Sequence, residues 1–407
     1  MDDKQAEEPV DPVDLLVKYV PRHLWVTLVA VLVMLVSGWL FFKPPEPASG
    51  VYIGAAATAE TLEGRVIEVL SEEEVLVAEQ PQPVQRLLVE ITGGSQKGQR
   101  VEILHGEMAM LTEGARVRAG DRVLIEHEAG PNGELFYITD FVRWPSLLGL
   151  TLLFAAAAVV VGRWVGFRAL VSMGLSVLAI VSFIIPGITS GNDPLMVCIV
   201  GSLLLMTASL YLVYGWTWKT HVALAGLTLS LGVTALLAVF FARWGHLGGF
   251  GSEEASYLVH LGQMQVDLRG VLLGGIVVGA VGVLDDVAVN QASATFELKR
   301  ANPGLGWVEL FRHSMVIGRD HIASMTNTLL LAYVGASLPL FLLMASLDIP
   351  MAQTLNREFL AEEVVRTLVG SLGLILAVPV TTLLAGLVAR KYDPPAPRLM
   401  NVYKISG

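Results

Sequence analysis

Asp285 and Asp286 stand side by side in "GVLDDVAVNQASATFEL" (282–298), a stretch that begins apolar and then turns polar. At 100° per helical residue, Asn290, Ser293 and Glu297 project within about 40° of Asp286. Gly275, Gly279 and Gly282 continue the same stripe toward the amino terminus. A second polar face follows in "GRDHIASMTNTLLLAYVG", where Asp320, Ser324 and Asn327 align and Thr328 lies beside them. In "AEEVVRTLVGSLG", Arg366 sits one turn from both Glu362 and Glu363, with Gly370 above it. Carboxylates, amides and hydroxyls without thiols or a histidine pair suit protons or a hard cation better than zinc or copper.

Asp285, Asp286, Asn290, Ser293, Glu297, Asp320, Ser324, Asn327, Thr328, Glu363 and Arg366 are therefore candidates to line a solute or ion pathway. A charged Asp in the middle of a membrane costs roughly 2.5–3.5 kcal/mol, which makes such residues functional candidates by default. The competing reading places the aspartate pair at the membrane surface, simply hydrated. Gly275, Gly279 and Gly282 are expected to let a neighbouring helix approach closely. His313, His321, His246 and His260 lack ligand spacing and read as solvated or capping groups. No cofactor is expected, and whether a metal binds stays open.

The elements that must position these residues are membrane helices. The chain has 407 residues, 54% of them hydrophobic and 16% charged, with a mean hydropathy of +0.61. A soluble chain carries about 25% charged residues, so most of this one is dissolved in lipid. The net charge of −10 gathers in "MDDKQAEEPVDPVD" and in one polar segment, so no nucleic-acid partner is expected. A single cysteine, Cys198, excludes an intrachain disulfide and a thiol cluster.

Apolar runs of membrane length predict about eight transmembrane helices, centred on Leu32, Leu153, Leu178, Leu204, Gly232, Val278, Val334 and Leu376. The first, 24–42, reads as an uncleaved anchor behind an acidic tail, 1–23. The rest form a bundle over 145–390, followed by a tail, 391–407. Arg163, Arg168, Lys219, Lys299, Arg300, Arg312, Arg319, Arg390 and Lys391 fall on alternate sides of successive helices. The positive-inside rule then puts both termini in the cytoplasm. Pro186, Pro339 and Pro379 interrupt three spans. "NPGLGWVELFRHSMVIG" (302–318) reads as a helix lying in the cytoplasmic interface or as a connector packed on the bundle.

Between the first two helices, 58–142 alternates in the strand period ("GRVIEVL", "RLLVEIT", "RVEIL", "ELFYITDFV") between turn signals. This predicts a small extracytoplasmic β-barrel, like the five-stranded oligonucleotide/oligosaccharide-binding (OB) type. It serves as a spacer or as a site for an outer protein partner.

The chain resembles the bacterial YibE/F-like family of polytopic membrane proteins. The likeness rests on "GAVGVLDDVAVNQASATFEL", "GRDHIASMTNTLLLAYVGASLPL", "EEVVRTLVGSLGLILAVPVTTLLAG" and the β segment. The resemblance implies a bacterial cytoplasmic-membrane protein with an outward β domain. It carries over no functional role, and either Asp285 or Asp286 can take the family's aspartate position. The expected function is a transporter or channel for a small solute, a cation or a proton-coupled substrate, without enzymatic activity. A membrane scaffold or sensor, possible as a homo-oligomer, is the second reading. The third is an intramembrane aspartyl protease using Asp286 and Asp320. No nucleotide-binding loop occurs.

Overall fold

The computed structural model describes residues 29, 60–77, 80–106, 116–130, 133–251, 254–255, 257, 266–346 and 350–391. The expected tails and the anchor 24–42, apart from Val29 and Lys391, lie outside them, as does His260. The chain divides into two compact units, Pro47–Val161 and Gly162–Gly407, the latter together with Met1–Glu46.

The first unit is a five-stranded antiparallel half-barrel: β1 (Glu60–Val77), β2 (Gln80–Gly93), β3 (Arg100–His105), β4 (Arg122–Gly130) and β5 (Gly133–Phe141), in the order β3-β2-β1-β4-β5. Alternate residues turn inward, burying Leu62, Val66, Leu87, Val89, Ile91, Val101, Ile103, Val123 and Ile125 in one core. Register shifts at three places in β1 let this long strand pair with β2 along its length and with β4 near its start. Gly64 is required there, because a Cβ would run into the Val89 and Ile125 side chains. Buried Gln85 acts as a surrogate strand partner, accepting from Val117 N (2.9 Å) and donating to Val117 O (3.2 Å).

The helical elements follow as α1 (Trp144–Ala179), a π-helical turn (Ile180–Ile184), α2 (Ile185–Thr189), α3 (Pro194–Tyr214), α4 (Trp218–Trp244), α5 (Leu268–Ala301), α6 (Trp307–Ala336), α7 (Leu338–Ser346), α8 (Met351–Leu355) and α9 (Glu358–Ala389). Among the described residues, five apolar helices or helix runs are long enough to cross a membrane, and a sixth arises if α6 and α7, bent by 61°, form one span. The two spans expected around Leu153 and Leu178 are two helices that follow one another directly in the run Trp144–Thr189 and meet at a kink. The loop between them is reduced to a single non-helical residue, Arg163 (φ 51, ψ −131). No proline or turn cluster lies between the two halves, so the helix resumes at once.

Starts and stops follow local chemistry. Asp193 caps α3 by accepting from Leu195 N (2.9 Å) and Met196 N (3.2 Å), with Pro194 in the first turn. Arg168 donates to the Leu212 and Val213 carbonyls at the other end of α3. Buried Lys299 closes the α5–α6 turn by donating to Pro303 O (2.6 Å) and Leu305 O (3.0 Å).

The prolines act differently from one another. Pro186 follows the π-helical turn, Pro339 follows the α6–α7 break, and Pro379 lies inside α9 without ending it. The separate helix expected over 302–318 is the first part of α6. Gly318 costs a helix only about 1 kcal/mol, and the stripe Leu310, Ser314 and Gly318 is buried.

Helix α9 packs against α4, α5 and α6, and α5 also packs on α3 and α4. The core holds Leu227, Leu284, Ala288, Ala292, Leu374, Ala377 and Ala385. Small residues set the closest approaches: Gly226 against Thr381, Gly373 against Thr234, Gly318 against Val378, and Gly274 against Cys198.

Candidate functional site

Helix α5 carries the polar stripe, and among the described residues no helix packs over most of its outward face. Gly275, Gly279, Gly282, Asp286, Asn290 and Glu297 are all exposed. A Cβ added at Gly275 or Gly282 would meet nothing within 4 Å, and one at Gly279 only the Tyr333 hydroxyl at 3.1 Å. Among the described residues, the close approaches on α5 are made instead by Gly270 and Gly274, against Pro194 and Cys198. Gly274 and Gly275 are adjacent, and the 100° between them separates a packed face from an uncovered one.

In the carboxyl-terminal half of the stripe, Asn290 Nδ2 donates to Asp286 Oδ1 (2.8 Å). Asp286 Oδ2 lies 3.8 Å from His321 Nε2 on α6. Asn290, Asp320, His321 and Ser324 line a cavity of about 340 Å³ together with Ile317 and Gln291. Asp286, Asn290, Asp320 and Ser324 are thus close to one another around His321. Asp285 turns inward, and its Oδ1 is buried without a hydrogen-bond partner among the described residues.

Gln291 was not singled out from the stripe because it lies about 100° off it. It is 3% exposed and donates to Ser314 O (2.8 Å) on α6 and Thr382 Oγ1 (2.7 Å) on α9. This buried amide ties three helices together behind the cavity. The sequence signal is an amide among alanines and valines.

At the other end of the stripe, Gly275, Glu254, Ser337, Glu362, Glu363 and Arg366 border a second cavity of about 810 Å³. Along α5, Gly275 and Asn290 are separated by about 22 Å at 1.5 Å per residue. Arg366 donates to Glu363 Oε1 (2.5 Å). Buried Glu362 instead accepts from Gly251 N (3.2 Å), and Glu358 accepts from Gly248 N and Gly249 N (3.1 Å). These two carboxylates hold the 248–251 loop against α9.

The remaining candidates are not gathered there. Glu297 is 3.8 Å from Arg300 and borders a separate cavity with Trp216 and Lys219. Asn327 is exposed, Ser293 half-buried, and Thr328 Oγ1 donates back to Ser324 O (3.0 Å). Among the described residues, no three His, Cys, Asp or Glu side chains are placed to hold a metal ion.

In the β unit, the edge strands β3 and β5 border a cavity of about 430 Å³ with Arg86, His105, Phe136 and Tyr137 in its lining. Elsewhere in the unit, Ser95 donates its backbone N–H (3.0 Å) and its hydroxyl to Glu60. These bonds hold the Glu60 carboxyl below its ordinary value of 4.5.

Residues 150–391 match the family model described as YibE/F-like protein. Comparison with curated proteins finds no match. Comparison with solved structures finds none either.

Proposed function

Because the chain belongs to the YibE/F-like family and carries several apolar helices of membrane length, we propose that it moves a small solute across the membrane along the uncovered face of α5. The favoured solute is a cation or a proton-coupled substrate. In this reading the protein is a bacterial cytoplasmic-membrane transporter or channel, not an enzyme. Its termini are cytoplasmic, and its β unit is an extracytoplasmic OB-like spacer.

The observation that carries the reading is the uncovered stripe from Gly275 to Asn290, bordered by a cavity at each end. Polar groups facing hydrocarbon go unsatisfied, so such a face requires water, a solute or a partner. Small residues leave room along the stripe, and Asp286, Asn290, Asp320, His321 and Ser324 offer oxygen and imidazole ligands at one end. Twenty residues of helix cover about 30 Å, so a span starting at Leu268 brings Asp286 and Asn290 to the far membrane boundary. Basic residues at the end of α5, Lys299 and Arg300, support a cytoplasmic position for that boundary. Asp286 meets a histidine on α6, which favours a pathway over the paired carboxylates of an aspartyl protease.

The test combines accessibility with flux. Cysteines at Asn290 and Asn327 should react with an impermeant thiol reagent applied from the cytoplasmic side. Cysteines at the buried positions Val287 and Leu329 should be protected. In liposomes, Asp286→Asn should abolish or strongly reduce ion-driven flux. Protection of all four cysteines, with flux unchanged in Asp286→Asn, rejects the pathway.

A further inference from the structure

We infer that the cavity between the α3–α4 turn and the last turn of α5 binds the phosphate head group of an anionic phospholipid. This cavity, about 720 Å³, is bordered by Trp216, Trp218, Lys219 and His221 on one side and by Glu297 and Arg300 on the other. It lies apart from the proposed pathway and does not depend on what that pathway carries.

The aromatic wall is fixed in place. Trp216 stacks on Tyr211 at 5.1 Å and meets His221 edge-on at 4.6 Å, and the Tyr211 hydroxyl lies 2.6 Å from His221 Nδ1. Yet Trp216 and Trp218 remain 49% and 58% exposed. Half-exposed indoles at the end of a membrane helix occupy the headgroup level, where an apolar body and a polar N–H both find partners.

Charge selects the ligand. Lys219 and Arg300 supply two cations against the single carboxylate of Glu297. Glu297 and Arg300 lie 3.8 Å apart with side chains 69% and 52% exposed, a pairing too hydrated to neutralise the site. Helix α4 starts at Trp218, so its first-turn N–H groups and dipole add positive potential at the same place. Basic pockets between membrane helices are suited to phosphate-bearing head groups.

The apolar surface argues for a lipid over a free phosphate. Trp218, Leu229, Leu236 and Phe240 fall within about 40° of one another on α4, and all four are exposed. They form an apolar track leading from the cavity along the helix, positioned for an acyl chain.

The full-length protein would be reconstituted with mixed phosphatidylcholine and phosphatidylglycerol, and the retained lipid counted by native mass spectrometry. Selective retention of phosphatidylglycerol is expected. Each basic residue near a membrane surface strengthens anionic-lipid binding roughly fivefold, so Lys219→Gln with Arg300→Gln should weaken retention by about 25-fold. Glu297→Gln should strengthen it, a gain that misfolding cannot mimic. Excess inorganic phosphate should not displace the lipid. Equal retention of the two lipids, unchanged retention in the double variant or weaker binding in Glu297→Gln overturns the assignment. Displacement by inorganic phosphate alone also overturns it, in favour of a soluble phosphate ligand.

Discussion

The two faces of α5 are built from similar residues and meet opposite fates. On one face Gly274 packs against Cys198, and Gln291 reaches Ser314 and Thr382. On the other, among the described residues, Gly275 and Gly282 face open space, and α6 reaches the stripe only through the side chains of Tyr333 and His321. Small and polar residues are therefore ambiguous in a membrane helix. They draw helices together when a complementary surface faces them, as Thr381 faces Gly226, and otherwise leave room for water or solute. What separates the cases is whether a facing helix fills the space beside each small residue.

The strongest challenge to this contrast is to fill both kinds of glycine. Gly226→Leu and Gly373→Leu place side chains into Thr381 and Thr234 on facing helices. Overpacking typically costs about 1–3 kcal/mol and more where backbone must move. Thr381 Cα is only 3.2 Å from a Cβ at Gly226, so both variants should lose folded protein in size-exclusion and thermal-denaturation assays. Gln291→Leu removes two buried hydrogen bonds and should destabilise by about 1–3 kcal/mol, read as a lower midpoint in the same denaturation assay.

Gly275→Leu and Gly282→Leu should leave stability within about 0.5 kcal/mol of the native chain, as for substitutions away from packed features. Both should still reduce flux by obstructing the uncovered face. Destabilisation of these two variants as severe as that of Gly226→Leu would erase the distinction between the faces.

The smallest effect lies in the β unit. A carboxyl held below its ordinary value adds stability above the unfolded-state pKa and loses it as pH falls through the folded-state value. For Glu60 that window lies below about 4.5. Ser95→Ala should raise the Glu60 pKa toward 4.5, measured by NMR titration of selectively labelled glutamate, and slightly flatten the acid limb of stability.

Much of the architecture was legible because it follows from solvent and period. Apolar length marked the helices centred on Leu204, Gly232, Val278 and Leu376. Two-residue alternation marked the strands, whose buried set includes Leu87, Val89 and Ile91. The sequence also marks two helices around Leu153 and Leu178, but not that they meet directly at a kink at Arg163 with no loop between them. The helix expected over 302–318, interfacial or packed on the bundle, runs on as α6, since Gly318 marks close packing on α9 and not a helix end.

By itself, then, the sequence determined that this chain lives in a membrane, which residues share a helical face, and that Asp286, Asn290, Asp320 and Ser324 belong to facing polar stripes. Those properties depend only on composition and on the 100° step of a helix. The tertiary structure decided which stripe is covered. It brought His321 to Asp286, committed Glu362 to the Gly251 backbone, buried Gln291 between three helices and left Gly275 to Asn290 bare. Those outcomes depend on how neighbouring helices rotate and approach one another, which a single helix's residues do not encode.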